Sequence, residues 1–255
     1  MDAFFLSQME ELRKLHNKCK REFIQHWVPK GSRVLDCGSG RGGDLQKWKA
    51  VNARVDSIDP DEESVREAQR RSKEMNLDIS FLGIGDIRDA VMKMINPWDI
   101  VCYNFSIHYI FHDQKILEES IDAISRAVRP GGLLIGIAPE KIRIDTMCYP
   151  SGIFRDSLGN IIQNSSHHAS IKLIDGPFYN NEFRDEPKMD SEILIYNLQK
   201  LKFKIISWEP MMISPTGLIS DMYTKFVFRN DRNVDVHPIG DHVDDHILIR
   251  KKPNA

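Results

Sequence analysis

The sequence predicts an α/β fold with a doubly wound, mostly parallel sheet. Three observations lead to this prediction. Short apolar runs alternate with helical patterns over the first 138 residues. A glycine-rich turn, GSGRGG at 38–43, separates the first predicted strand from the next helix. After Pro139 the pattern changes to short strands with polar turns, typical of antiparallel pairing. Parallel sheets of this kind bind ligands beyond the carboxyl ends of their strands, so functional residues are expected there.

The elements follow in order along the chain. An amphipathic helix is predicted over residues 4–27, because apolar residues recur at steps of three and four. The core comprises strands at 31–37, 53–59, 79–85, 98–105 and 133–138, and helices at 43–50, 60–75 and 115–128. We expect the last of these helices to stop at RPGG. The C-terminal part comprises antiparallel strands at 152–164 and 170–175, a helix at 189–201, and strands at 203–210 and 222–229.

Composition is that of an ordinary globular chain, with 41% hydrophobic and 28% charged residues and a formal net charge of −2. Its net charge is too small to attract nucleic acid or membrane over a distance, so any binding of nucleic acid must depend on local contacts. No apolar run approaches the roughly 20 residues of a membrane span, and the start lacks a signal-peptide pattern. We therefore expect an intracellular protein without membrane contact.

The cysteines and the C-terminal histidines are interpreted as structural. Four cysteines form no CxxC motif and read as free thiols: Cys19, Cys37, Cys102 and Cys148. Three histidines lie in the polar tail, where the ligand spacing of structural zinc is absent: His237, His242 and His246. The sequence therefore predicts no metal site.

The glycine-rich turn lets a ligand lie against bare backbone. Asp59 ends the second strand, 21 residues after Gly38, where a carboxylate can accept both hydroxyls of a ribose. The ligand is then a nucleoside or a dinucleotide. The alternative is that Asp59 caps the helix after Pro60.

Two further acids, Asp36 and Asp44, flank the turn. They would repel the pyrophosphate of a dinucleotide, which disfavours an NAD-dependent oxidoreductase, but they would attract a cationic ligand. S-adenosylmethionine carries an ammonium, a sulfonium and a ribose. Asp86 ends the third strand, where the adenine edge would lie. This pattern indicates a methyltransferase with the class I S-adenosylmethionine-dependent fold.

Five segments spread over 12–228 resemble the mRNA cap guanine-N7 methyltransferases. They are LRKLHNKCK, VLDCGSGRGGDLQKW, FSIHYIF, MDSEILI and YTKFVF, where the family has LRNFNNWIK, VLDLGCGKGGDLLKW, FALHYAF, PEYLV and an aromatic before AFVF. GGDL with KW, followed by HY, is far more specific than the glycines alone. Ser39 replaces the family's Cys, Arg41 its Lys and Asn104 its Gln, and Asp190 and Ser191 stand where Pro is usual. A diverged viral form is one alternative.

The resemblance implies a site for S-adenosylmethionine. Its members are Lys20, Asp36, Gly38, Gly40, Asp44, Asp59, Asp86, Asn104 and Tyr109. In the family, Lys20 would reach the cofactor's carboxylate, Asp59 the ribose and Asp86 the adenine.

The resemblance also implies a site for a capped 5′ end of RNA. Its members are Asn17, Arg41, His108, Tyr109, Glu192 and Tyr223. His108 and Glu192 would contact the guanine edge and orient it, while Tyr223 would stack on the ring. Alternatively, His108 is a structural residue and Tyr223 covers the core. If Glu192 is not the guanine acceptor, the alternatives are Glu182, Asp185 and Glu186. Cations for the triphosphate are Arg41, with Lys47, Lys49, Arg70 and Arg71 as further candidates.

The implied activity is methyl transfer from S-adenosylmethionine to guanine N7 of the cap. N7 carries a lone pair and no proton, so we expect in-line displacement helped by alignment and no general base. Alternatives are a small-molecule methyltransferase and a catalytically silent cofactor-binding subunit. We expect a monomer whose partners are other capping-enzyme domains or a stimulatory subunit. Its expected location is cytoplasmic if the protein is viral and nuclear if it is cellular.

We expect one methyltransferase domain over residues 1–255. It comprises the N-terminal helix (4–27), a cofactor-binding core (32–138), a β-rich substrate-side insertion (139–189) and a C-terminal helix with strands (190–255).

Overall fold

The computed structural model describes residues 3–174 and 181–232, with side chains described from residue 10 onward. The tail histidines His237, His242 and His246 lie outside the described residues. In chain order the elements are α1 (Ala3–Trp27), β1 (Arg33–Cys37), α2 (Leu45–Ala50), β2 (Arg54–Asp59), α3 (Glu62–Glu74), β3 (Ile79–Ile84), α4 (Ile87–Met92), β4 (Trp98–Asn104), α5 (Gln114–Ala127), β5 (Val128–Pro139), α6 (Lys141–Cys148), β6 (Ile153–Arg155), β7 (Ile161–Asn164), β8 (His168–Lys172), β9 (Phe183–Pro187), α7 (Ser191–Lys200), β10 (Phe203–Pro210) and β11 (Tyr223–Asn230). Short 3₁₀ helices span Ile107–His112 and Ile219–Met222.

The main sheet has seven strands in the order β10-β11-β5-β4-β1-β2-β3. Strands β1 to β5 pair in parallel, whereas β11 is antiparallel to both of its neighbours. The predicted doubly wound, mostly parallel sheet is therefore confirmed. A second sheet, with the antiparallel order β6-β7-β8-β9, lies within the segment between β5 and α7.

Both faces of the main sheet are covered by apolar side chains. Consecutive residues of a strand point to opposite faces. Val34 therefore packs in the cluster that contains residues of α1 and α2, and Leu35 packs in the cluster that contains residues of α4, α5 and α7. Neither side chain has any exposed surface, which explains why these two consecutive positions of β1 are both apolar.

Three elements were not predicted, namely α4, α6 and β9. Helix α4 has only six residues and begins at a capping box formed by Asp86 and Asp89. Strand β9 has the sequence FRDEP, which lacks apolar alternation. Helix α5 ends at Ala127, directly before RPGG as predicted, but β5 begins at Val128 and includes RPGG, whereas the strand was predicted to begin at 133.

Gly38, directly after β1, must be glycine for two reasons: its backbone conformation and the close approach of Ser106. Its φ is +71°, and a Cβ atom there would lie 2.4 Å from Cβ of Ser106. Ser106 in turn donates to the carbonyl oxygen of Cys37 at 2.6 Å. The turn after β1 therefore contacts the turn after β4 with no space for a side chain.

We expect Gly38→Ala to destabilise the protein more than Gly31→Ala. Gly31 also has a left-handed φ, +80°, but has no atom within 4 Å of the added Cβ. Both variants incur the conformational cost of about 1–2 kcal/mol for a left-handed residue, and only Gly38→Ala adds a clash. Urea unfolding of both variants measures the difference. Equal losses would contradict a steric role for Ser106.

Candidate functional site

The carboxyl ends of β1, β2 and β4 bring the predicted acids and amides together. Asp36 lies near the end of β1, Asp59 is the last residue of β2, and Asn104 is the last residue of β4. All three are at least nine-tenths buried. Since these strands are adjacent in the sheet, their ends form one polar edge beside the glycine-rich turn.

Asp44 is the most connected side chain of this edge. Its carboxylate lies 2.7 Å from Nζ of Lys20 and 2.8 Å from Nζ of Lys47, and it accepts a hydrogen bond from Nδ2 of Asn104 at 2.8 Å. Burial raises the pKa of Asp44, but the two ammonium groups lower it by more, so its pKa lies below the usual value. Lys47 also donates to Oδ1 of Asn17 at 3.0 Å. These contacts join α1, the glycine-rich turn and β4.

Asp36 has a different environment only a few residues away. Its Oδ2 accepts a hydrogen bond from Nε1 of Trp48 at 2.8 Å, and its side chain is buried. Burial, followed by the charge of Asp44, raises the pKa of Asp36 to about 7. The pKa values of the two acids that flank the turn are therefore shifted in opposite directions.

Asp59 organises the glycine-rich turn rather than a helix. Its Oδ2 accepts from the backbone N–H of Gly40 at 2.7 Å and its Oδ1 from that of Asp61 at 2.9 Å. The N-cap of α3 is Asp61, which accepts from the N–H of Ser64, so the helix-cap alternative for Asp59 is wrong. Burial raises the pKa of Asp59, and the two backbone donors oppose that rise.

Asp86 caps α4 and is engaged by a cation. Its Oδ1 accepts from the N–H of Arg88 at 2.8 Å, and its Oδ2 lies 2.6 Å from Nη2 of the same residue. Burial raises the pKa of Asp86, but these bonds lower it by more, to below the usual value. The predicted contact with adenine stays a prediction.

Arg41 projects from the glycine-rich turn, and its side chain is 45% exposed. Its guanidinium lies 3.9 Å from the carboxylate of Glu63 on α3, a loose ion pair. Its carbonyl oxygen accepts from Nη1 of Arg71 at 2.7 Å. The turn therefore presents one accessible cation at its outer side.

His108 is paired with Glu186, one of the three acids that the sequence offers as alternatives to Glu192. Nε2 of the buried His108 lies 3.3 Å from Oε2 of Glu186 on β9, and that carboxylate is also buried. The rings of His108 and Tyr109 lie 4.1 Å apart. Burial, followed by the charge of Glu186, raises the pKa of both Tyr109 and Tyr223. One buried carboxylate therefore lies among a histidine and two tyrosines.

The structure does not place Glu192 in this cluster. Glu192 lies in the first turn of α7, is exposed, and makes no hydrogen bond or ion pair with the part of the chain that the structure describes. The buried residues of α7 are Leu194 and Leu198. At 100° per residue, Glu192 is rotated about 200° from Leu194, so it points away from the buried side of the helix.

Two aromatic rings form a wall beside the cluster. The rings of Phe105 and Tyr223 lie 4.7 Å apart at an interplanar angle of 66°. Phe105 follows β4 with a left-handed φ of +63°. Nζ of Lys20 lies 5.4 Å from its ring centroid, within the range of a cation–π contact. Sequence reasoning missed Phe105, because its role depends on a backbone conformation that no local pattern signals.

No described helix is both long and apolar enough to cross a membrane. Within 3–174 and 181–232, no group of three or more His, Cys, Asp or Glu side chains could hold a metal ion.

We expect the buried Asp36 to make stability fall as pH rises. Its folded-state pKa of about 7 lies above the ordinary value of 3.8 for an aspartate, so the folded state binds one extra proton between these values. Asp36→Asn removes that proton linkage and keeps an acceptor for Trp48. Between pH 4 and 7 the variant should gain about 2–4 kcal/mol relative to the wild type. Urea unfolding across this range measures it, and parallel curves would show that Asp36 is ionised throughout.

A model of the mRNA (guanine-N(7))-methyltransferase domain matches residues 4–179. The mRNA cap guanine-N(7) methyltransferases of Eremothecium gossypii and Saccharomyces cerevisiae are each 29% identical, over 192 and 191 residues. Each alignment covers 68% of this chain, and 45% and 44% of the respective relative. The chain thus spans less than half the length of these relatives.

Solved structures share the fold at low identity. An S-adenosylmethionine-dependent methyltransferase from Clostridium acetobutylicum superposes with a TM-score of 0.59 at 14% identity, covering 85% of this chain and 91% of its own. The N-methyltransferase NodS from Bradyrhizobium japonicum, solved with S-adenosyl-L-homocysteine, gives 0.53 at 17% identity, covering 86% of each chain. The sheet order agrees with a class I methyltransferase fold. Because the family model covers more than half of its length, this chain belongs to the mRNA (guanine-N(7))-methyltransferase domain family.

Proposed function

We propose that the chain transfers a methyl group from S-adenosylmethionine to guanine N7 of the 5′ cap of mRNA. The observation that carries the proposal is the buried His108–Glu186 pair beside the acidic edge of the main sheet. The pair offers an acceptor for a base edge, and the acidic edge suits a cationic cofactor. Family membership supports the same reaction.

The acidic edge fits S-adenosylmethionine. Oδ1 of Asn104 is buried and has no hydrogen-bond partner among the described residues, so it can accept from an ammonium group. Asp59 and Asp86 would accept from the ribose hydroxyls and the adenine amine. Lys20, held between Asp44 and the ring of Phe105, would meet the carboxylate. The bound cofactor supplies a methyl group on a sulfonium.

Glu186 takes the role that the resemblance assigned to Glu192. Guanine presents adjacent N–H donors on its Watson–Crick edge, and one carboxylate can accept from both. Methylation leaves positive charge on the base, so a buried carboxylate stabilises the product-like transition state more than the neutral substrate. His108 orients Glu186 through its Nε2, and Tyr223 would stack on the ring. No residue is needed as a general base.

Arg41 is the cation best placed for the cap's triphosphate. Its side chain is accessible and its ion pair with Glu63 is loose at 3.9 Å. By contrast, Arg70 is bound by Glu67 and Glu74, and Lys47 is buried against Asp44. Asn17, the other polar residue predicted to bind the cap, accepts a hydrogen bond from Lys47.

The expected partner is the capped 5′ end of RNA. Contacts with other capping-enzyme domains or a stimulatory subunit, the monomeric state, and a nuclear or cytoplasmic location stay predictions. The two alternatives, a small-molecule methyltransferase and a silent cofactor-binding subunit, have no observation in their favour beyond the shared fold.

The decisive experiment is incubation with methyl-labelled S-adenosylmethionine and either GpppA or GpppG, followed by mapping of the labelled position. We expect the label on guanine N7. Label on a ribose hydroxyl or on adenine would overturn the proposal, and so would absence of transfer despite measurable cofactor binding.

We expect Glu186→Gln to lose activity and Glu192→Gln to keep it. The first change turns an acceptor that faces guanine donors into a donor and removes the balancing charge, so kcat/KM on GpppG should fall about 10- to 100-fold. An inosine cap, which lacks the exocyclic amine, should lose less. Cofactor affinity, measured by calorimetry, should be unchanged in both variants. The reverse result, with Glu192→Gln inactive and Glu186→Gln active, would restore the assignment made from the sequence.

A further inference from the structure

His16 on α1 contacts the aromatic wall of the site from a distant part of the chain. Its Nε2 lies 2.7 Å from Oγ of Ser220, a residue with no exposed surface in the 3₁₀ helix just before Tyr223. Its ring is edge-on to that of Tyr223, with centroids 6.1 Å apart. Its ring is also 6.3 Å from that of Phe105. Three rings from three separate elements therefore meet at this point.

One face of helix α1 makes two contacts with the site. His16 and Lys20 are four residues apart, so they lie on the same side of the helix. Lys20 binds Asp44 in the glycine-rich turn, on the side of the acidic edge. His16 binds Ser220 beside Tyr223, on the side of the proposed guanine site. The helix thus spans the two halves of the site.

The imidazole of His16 is neutral at neutral pH. Burial, followed by the charge of Lys20, lowers the pKa of His16 to about 4. A neutral ring can share one hydrogen bond with a hydroxyl and still pack against aromatic rings without an uncompensated charge. A neutral imidazole can therefore contact the Ser220 hydroxyl and the Tyr223 ring at the same time.

We propose that His16 is a positioning residue for the cap-stacking ring: through Ser220 and its edge-on contact with Tyr223, it sets the angle at which that ring meets the guanine. The inference rests on the proposed function and deepens it. His16 itself does not touch the reacting atoms. Its contribution is made in substrate binding, because a ring fixed in advance loses less freedom when the base stacks.

The test is steady-state kinetics on GpppG with S-adenosylmethionine. His16→Ala should raise KM about five- to tenfold, as expected for loss of an oriented aromatic contact, with kcat changed less than about twofold. Ser220→Ala, which removes a single oxygen atom, should shift KM in the same direction. His16→Gln, which can still reach Ser220 but has no ring to place against Tyr223, should recover only part of the loss. His26→Ala is the matched control, because His26 is an exposed histidine on the same helix.

A double-mutant cycle separates positioning from general stability. In the Tyr223→Ala background, His16→Ala should cause no further rise in KM, because the ring that it orients is gone. Additive losses would overturn the proposal, and so would an unchanged KM in Ser220→Ala. If His16→Ala fails to fold, Ser220→Ala and His16→Gln decide the question. A wild-type chain that does not methylate GpppG at N7 would overturn the proposed function and this inference with it.

Discussion

The ion-paired carboxylate of Asp44 is the contact on which the site depends. Two ammonium groups, from Lys20 and Lys47, approach it within 2.8 Å, and all three side chains are largely buried. Buried cations need an anion close by, and removing one partner of such a pair typically costs about 3–5 kcal/mol. The position of α1 over the glycine-rich turn, and hence of His16 one turn earlier on that helix, follows from this constraint.

The acids of the edge fall into two classes. Asp44 and Asp86 have cationic partners, and their pKa values lie below the usual range. Asp36 and Asp59 are held by neutral donors, namely an indole and backbone N–H groups, and burial raises their pKa values. A ligand that brings hydroxyl donors or positive charge gains most beside the second class. The structure therefore separates acids that are paired with cations from acids that are held by neutral donors.

The parallel core and the acidic edge could be predicted because both are local. Strands β1, β2 and β4 are short segments with buried apolar residues, and a polar residue near the end of a parallel strand lies at the carboxyl edge of the sheet. The contacts that complete the site join residues far apart in sequence, such as His16 with Ser220 and His108 with Glu186. No periodicity signals them. Glu192 matched a short family segment, but the helix that carries it turns it away from the buried side.

The proposed guanine site lies where the two sheets meet. His108 follows a strand of the main sheet, and Glu186 belongs to the last strand of the small sheet. In β9, Glu186 is paired in register with the buried Ala169, so both point inward from the small sheet. Solved methyltransferases share this fold at 14–17% identity, and a fold alone does not fix a substrate. In this chain the core forms the acidic edge, and the small sheet supplies the carboxylate that would recognise the base. Substrate choice can then change through residues of β9 while the cofactor edge stays intact.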